Sequence, residues 1–206
     1  MTTKYLTGMV AAVAAAVAMV APTGHAQSSG EQLQITAFAV NMSNIATGSN
    51  AVVEISVKAW STPEEREKLI TTMVEQGPKK LLEALQDMPD KGRFWIPGLR
   101  GSDPHNLRLG LTLRYAWQQP LPDGGRRIVL AADRYIGMAE ARNQPRSIDY
   151  PFTLFEIRAN KEGKGEGKLA YATKIRFDKD KKVMELENYS SEPVRLQNLQ
   201  IKPKSS

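Results

Sequence analysis

Alternation of apolar and polar residues is strongest in the middle of the chain, over residues 107–117. Every odd position of this stretch carries a large apolar side chain (four leucines, then Tyr and Trp), and the even positions are Arg, Gly, Thr, Arg and Ala. A period of two places alternate side chains on opposite faces of a β-strand. The pattern therefore predicts a long strand that buries six large apolar side chains on one face.

Weaker patterns of the same kind occur on both sides of this stretch. They predict strands at residues 33–42, 51–59, 93–96, 127–136, 152–158, 169–177, 183–189 and 194–201. Turn residues such as Gly, Pro, Asn and Asp separate most of them, which favours antiparallel hairpins. Residues 33–42 are apolar at both odd and even positions, which predicts a strand covered on both sides.

A helical hairpin is predicted at about residues 62–88. Thr62 precedes Pro63, and Glu65 follows three residues after Thr62, which is the pattern of a capping box at the start of a helix. Gly77 is a natural helix end, and the apolar spacing resumes after Pro78 for a second helix. The fold class that follows is mainly β (α+β): an antiparallel β-sandwich or an up-and-down barrel of about eight strands with an inserted helical hairpin.

Residues 1–26 have the features of a signal peptide. Lys4 precedes an apolar run at residues 6–21, and the segment ends in the small-residue sequence G-H-A. We expect cleavage before Gln27 and export to the periplasm or the medium, with residues 27–206 forming a single β-rich domain. The later sequence contains no stretch apolar enough for a transmembrane helix.

Charge and cysteine content narrow the classes of function. The chain has 28 Lys and Arg against 22 Asp and Glu, and loss of Lys4 with the signal peptide leaves 27 against 22, a net charge of +5. This mild excess favours anionic partners but is far from the signature of a nucleic-acid-binding protein. Cysteine is absent, so thiol redox chemistry and disulfides are excluded.

Four short stretches carry a resemblance to other proteins. They are LPDGGRRIV at residues 121–129, YPFTL at 150–154, GKGEGK at 163–168 and ELENY at 185–189. Together they resemble a group of exported bacterial proteins with no assigned function. The resemblance implies bacterial export and no particular activity.

Candidate catalytic groups are few. His105 is the only histidine after the signal peptide, and neither H-E-x-x-H nor G-x-S-x-G occurs, so no metal, cofactor or serine nucleophile is predicted. Four carboxylates follow one another in the second half of the chain: Asp133, Glu140, Asp149 and Glu156. Two of them would form an acid/base pair for glycoside cleavage if they lay about 5–10 Å apart. Ion pairs with neighbouring arginines are the alternative role.

Basic residues occupy the polar faces of several predicted strands: Arg108, Arg114, Lys168, Lys174 and Arg176. If these strands are neighbours, they form a cationic sheet surface suited to anionic polysaccharide or lipid headgroups; otherwise they form an ordinary solvated face. Trp95 is the aromatic residue whose setting is ambiguous, and if exposed it is a candidate for stacking on a ligand. We therefore predict a non-enzymatic binding or interaction module. The alternatives are a barrel that carries an apolar small ligand and a carboxylate-dependent hydrolase.

Overall fold

The computed structural model describes residues 30–42, 50–97, 110–133, 153–171, 175–178, 183–186 and 194–204. The predicted signal peptide at residues 1–26 lies outside these described residues, as do the other predictions that concern the rest of the chain. The elements are β1 (Leu33–Asn41), β2 (Asn50–Val57), α1 (Pro63–Gln76), α2 (Pro78–Gln86), β3 (Gly92–Trp95), β4 (Leu111–Pro120), β5 (Arg126–Ala132), β6 (Thr153–Ala159), β7 (Lys164–Tyr171), β8 (Ile175–Asp178), β9 (Val183–Leu186) and β10 (Val194–Pro203).

Eight of these strands close into a barrel, in the order β1, β10, β7, β6, β5, β4, β3, β2. Each neighbouring pair is antiparallel, and β8 pairs with β9 in a separate two-stranded sheet. Because β10 pairs with both β1 and β7, the larger sheet has no free edge. The prediction of a mainly β protein with an up-and-down barrel and a helical insert is confirmed, and the barrel rather than the sandwich is the form it takes.

The barrel interior is apolar and filled by side chains from every strand around it. Phe94 on β3 and Phe155 on β6 are fully buried, and their ring centroids lie 5.0 Å apart. These strands are separated by β4 and β5, so the two rings meet across the interior. An eight-stranded barrel is just wide enough for side chains to fill it in this way.

The strand predicted at residues 107–117 corresponds to β4, but it does not have a single apolar face. Leu113 points into the barrel, whereas Tyr115 and Trp117 lie on the outer surface beneath the helices. The register with β5 shifts between Leu113 and Tyr115, which leaves Arg114 as an extra residue in a β-bulge. A bulge reverses the alternation beyond it, so Ala116 takes the inward position.

The predicted helical hairpin is present, and it covers the outer face of β4, β5 and β6. The Thr62 side chain accepts a hydrogen bond from the Glu65 backbone, and the Glu65 carboxylate accepts one from the Thr62 backbone, which completes the capping box. Gly77 ends α1 and begins α2. The helices and strands share a second apolar cluster of Leu69, Leu81, Leu85, Met88, Tyr115, Ala131 and Leu154.

Two strand predictions need correction. Residues 169–177 do not form one strand, because β7 ends at Tyr171 in the barrel and β8 begins at Ile175 in the two-stranded sheet. Strand β1 is buried on one face only, with Thr36 and Phe38 exposed on the other. The helices lie over β4 to β6, so this second layer does not cover the outer face of β1. Neither helix in the described residues is long and apolar enough to cross a membrane.

Candidate functional site

The predicted binding residues are distributed over several parts of the fold. Trp95 lies on the outer, half-buried face of β3, Arg114 is on β4 and Lys168 is on β7. Arg176 belongs to β8 in the separate sheet, and Arg108 and Lys174 lie outside the described residues, as do His105, Glu140 and Asp149. Because β5 and β6 stand between β4 and β7, the structure does not bring Arg114 and Lys168 onto neighbouring strands.

Arg114 is engaged within the protein. Its Nε donates a hydrogen bond to Asp133 Oδ2 at 2.9 Å, and its Nη1 donates to the Met88 carbonyl at 3.0 Å. The Asp133 side chain is only 9% exposed. Arg114 therefore joins the bulge in β4 to the end of the helical hairpin, which is a structural role.

Two carboxylates of the predicted acid/base group, Asp133 and Glu156, lie in the described residues, and each forms an ion pair with an arginine. Asp133 pairs with Arg114, and Glu156 pairs with Arg127 at 2.8 Å. Glu156 lies opposite Val129 on β5, four residues before Asp133. Four residues of strand span about 13 Å, which exceeds the separation that glycoside cleavage requires. This pair does not have the geometry of an acid and base acting on one bond.

Lys168 belongs to a different cluster of cations, on the outer surface of the four consecutive strands β5, β6, β7 and β10. We call this cluster the basic face; its members are Arg127, Arg158, Lys164, Lys168, Arg195 and Lys202. Each of these side chains projects from the outer surface of the barrel, because the residues that alternate with them along the strands face the interior. The described outward positions of the four strands carry two carboxylates, Glu156 and Glu166.

The register of the strands sets two like charges opposite each other in two places. Lys168 on β7 is directly across from Arg195 on β10. Arg127 on β5 is directly across from Arg158 on β6. Like charges in directly opposed positions destabilise a sheet. Two such pairs therefore concentrate positive charge on this part of the barrel, and an anion placed between opposed cations offsets their repulsion.

Glu156 lies among these cations and balances only part of their charge. Its Oε1 accepts hydrogen bonds from Arg127 Nε at 2.8 Å and from Arg158 Nη2 at 3.3 Å. Lys168 is its cross-strand partner on β7. Glu166 is the cross-strand partner of Arg158 on β7. These two carboxylates against six cations leave a positive excess, and 65% of the Arg158 side chain is exposed to solvent.

Positive charge continues from β5 toward the helical hairpin. The Arg66 guanidinium lies 5.2 Å from the centre of the Trp117 ring, within the range of a cation–π interaction. Burial raises the pKa of the neighbouring Tyr115 phenol well above its usual value, an effect that the Arg66 charge and hydrogen bond oppose. Tyr115 is therefore a neutral hydrogen-bonding partner for Arg66 at physiological pH.

Lys168 was predicted as a binding residue from the sequence, whereas the other members of the basic face were not. Their outward positions could be predicted from the period of two, since most of the residues that alternate with them are apolar or glycine. The strand order was not readable: β10 lies beside β7 although β8 and β9 come between them in the chain. Without that order, Arg195 and Lys168 belong to separate strands with no predicted relationship.

Among the residues that the structure describes, no group of three or more histidines or carboxylates is arranged to hold a metal ion. Comparison of the chain with protein families, with curated proteins and with solved structures found no match. The geometry and charge of the basic face are therefore the features of the molecule that point to a function.

Proposed function

We propose that the protein is an exported, non-enzymatic binding module that holds an anionic ligand on its basic face. The observation that carries the proposal is the collection of six cations on four adjacent strands, against two carboxylates. Such a surface attracts molecules with repeated negative charges and concentrates them near the protein. The predicted export favours ligands of the cell envelope, such as acidic polysaccharide or anionic lipid.

The rigidity of the face supports this role. The six cations project from a closed barrel in which every strand is paired on both sides. Neighbouring strands lie about 4.8 Å apart, so the backbone positions from which the cations project have a fixed spacing. A ligand that meets a preformed array loses less binding energy to ordering the protein.

The two alternative functions, a carboxylate-dependent hydrolase and a barrel that carries an apolar small ligand, lack comparable support. Asp133 and Glu156 are each paired with arginine and are separated along β5, which does not favour a hydrolase. An apolar carrier needs space inside the barrel, and Phe94 and Phe155 meet there at the level of β3 and β6. The basic face is the surface for which a specific ligand chemistry follows from the residues.

Chromatography on an immobilised acidic polysaccharide tests the proposal. We expect the protein to be retained at low salt and eluted at moderate salt, because exposed charges are screened as ionic strength rises. The double variant Lys168→Gln/Arg195→Gln should elute at clearly lower salt. Retention reports electrostatic attraction to a polyanion, whichever anionic molecule is the natural ligand.

A charge-matched variant provides the control. Lys79→Gln/Lys80→Gln removes the same charge from exposed positions of α2. If retention depends only on net charge, both double variants will elute together, and the proposal is then wrong. Failure of the unmodified protein to bind at low salt would reject it as well.

A further inference from the structure

An exposed apolar strip adjoins the basic face. Its members are Phe38 and Val40 on β1, Met42 directly after β1, and Val52 on β2; Val40 and Val52 are half-buried. Phe38 is 46% exposed and Met42 is 45% exposed; in the described residues, Val74 on α1 is the other large apolar residue of comparable exposure. Phe38 and Val52 are cross-strand partners, so the strip is continuous across the two strands.

The register joins the apolar strip to the basic face without a gap. Val40 on β1 is directly across from Arg195 on β10, and Arg195 is directly across from Lys168 on β7. Side chains in directly opposed positions have Cβ atoms about 5 Å apart. An apolar and a cationic surface therefore meet along the boundary between β1 and β10.

The charge pattern around the strip selects among possible occupants. The outward positions of β1 and β2 carry one carboxylate, Glu54, which lies opposite Thr36 on one side and Trp95 on the other. An acidic polysaccharide would satisfy the cations but has no apolar group for Phe38 and Met42. A second copy of the chain would bring two basic faces close together. An anionic bilayer satisfies both surfaces, because its headgroups are negative and its acyl region is apolar.

The curvature of the barrel limits the area in contact with a flat surface. Successive strands of an eight-stranded barrel are turned by about 45° around its axis, so a flat surface lies closest to two neighbouring strands and less close to the strand on either side of them. The strands β2, β1, β10 and β7 are four consecutive strands of the barrel. The apolar strip lies on the β2 and β1 side of this group, and the β10 and β7 side carries Lys164, Lys168, Arg195 and Lys202. Arg127 and Arg158 lie farther around the barrel and attract the same membrane at longer range.

A β-bulge on β10 adds polar groups at the centre of this surface. Gln197 and Asn198 are consecutive residues, and both are exposed. Asn198 has a φ of 50°, and the register shifts at this point in both pairings of β10. Gln197 is the cross-strand partner of Phe38, so two amide side chains lie where headgroups would surround an inserted ring.

We propose that β2, β1, β10 and β7 dock on an anionic lipid bilayer, with Phe38 and Met42 inserted among the headgroups and acyl chains. This inference rests on the proposed function, since it names the anionic ligand of the basic face. It adds the apolar strip as a second, independent part of the binding surface.

Vesicle flotation tests the inference with matched variants. The protein should float with vesicles of phosphatidylglycerol and phosphatidylcholine and should not float with phosphatidylcholine alone. We expect Phe38→Ser/Met42→Ser to weaken vesicle binding by about tenfold or more, because two apolar side chains are lost from the membrane contact. Val74→Ser removes an equally exposed apolar side chain from α1 and should leave vesicle binding unchanged.

The same variants separate failure of this inference from failure of the proposed function. Phe38→Ser/Met42→Ser should keep full retention on acidic polysaccharide, whereas Lys168→Gln/Arg195→Gln should weaken binding to both probes. If the protein binds polysaccharide but not anionic vesicles, the bilayer is not the ligand and the proposed function stands. If Phe38→Ser/Met42→Ser floats like the unmodified protein, the apolar strip does not insert and the inference is wrong, whereas the proposed function again stands. If the unmodified protein binds neither the acidic polysaccharide nor the anionic vesicles, both proposals fail.

Fluorescence provides a direct measure of insertion. A Trp introduced as Phe38→Trp should show blue-shifted emission on anionic vesicles and quenching by brominated lipid, relative to the unmodified protein. Sedimentation without lipid tests the rival occupant. A dimer that dissociates on Phe38→Ser/Met42→Ser would assign the strip to a second copy of the chain and overturn the inference.

Discussion

The Lys91 ammonium lies 2.7 Å from Glu65 Oε2 and 2.9 Å from Glu65 Oε1, and the Lys91 side chain is only 6% exposed. The same ammonium donates to the Trp60 carbonyl at 3.3 Å. The Lys91 backbone N–H donates to the Leu113 carbonyl on β4, and the Lys91 carbonyl accepts from the backbone N–H of Lys58, the residue directly after β2. One residue thus ties the start of α1 to two barrel strands.

Removal of this ammonium should be strongly destabilising. Lys91→Met leaves a mostly buried Glu65 carboxylate without its cation, and we expect a loss of about 3 kcal/mol in the free energy of unfolding. Urea denaturation followed by circular dichroism measures it. Lys80→Met is the control, since its pair with Glu83 is exposed and its loss should cost about 0.5 kcal/mol or less. Equal effects of the two substitutions would contradict this role for Lys91.

Replacement of Phe by Ala should lower the free energy of unfolding much more inside the barrel than on its outer surface. Phe155→Ala removes a fully buried ring from contact with Phe94 and should cost about 3–5 kcal/mol. Phe38→Ala removes a ring that is 46% exposed and should cost about 1 kcal/mol or less. Chemical denaturation of both variants gives the comparison, and a large loss for Phe38→Ala would mean that this ring is needed for folding rather than for contact with a partner.

Gly92, at the start of β3, should not tolerate a side chain. Its φ is +155°, and an added Cβ would lie 2.0 Å from the Ser56 carbonyl oxygen on the neighbouring strand. Gly77 also has positive φ, at +82°, but an added Cβ there meets nothing within 4 Å. We expect Gly92→Ala to lower stability by at least about 2 kcal/mol more than Gly77→Ala, because only the former adds a backbone clash to conformational strain. Thermal unfolding of both variants decides whether this order holds.

Tyr115 should make the protein less stable at alkaline pH. Burial raises the pKa of its phenol above the ordinary value of 10.0, so the folded protein retains a proton that the unfolded chain releases. The stability contributed by the neutral phenol is fully present below pH 10 and is lost as the pH rises above 10. Denaturation of the unmodified protein and of Tyr115→Phe from pH 9 upward should show a steeper decline for the unmodified protein. Parallel curves would show that Tyr115 ionises normally in the folded state.

Local sequence was sufficient for the helical hairpin and for most strand positions. The capping box depends on Thr62 and Glu65, which are three residues apart, and the break at Gly77 depends on one residue without a Cβ. The inward face of β2 follows from a period of two over a few residues. These features were predictable because the interactions that determine them occur within one element.

Features that depend on pairing between distant strands were not predictable. The bulge at Arg114 moves Tyr115 and Trp117 from the expected inner face to the outer one, and the shift appears only in the register with β5. The separation of β8 from β7 likewise depends on which partners are available. A backbone N–H or carbonyl pairs equally well with any strand, so alternation alone does not specify the neighbour.

The sequence by itself determined which residues form strands, which form helices and which side of most strands is apolar, because these properties arise from covalent geometry and nearby side chains. The tertiary structure alone decided that β10 lies between β1 and β7, and with it that Arg195 stands between Val40 and Lys168. The basic face and the apolar strip become one surface only through that closure. Its physical basis is the satisfaction of every edge hydrogen bond in a closed barrel, which involves residues more than 150 positions apart in the chain.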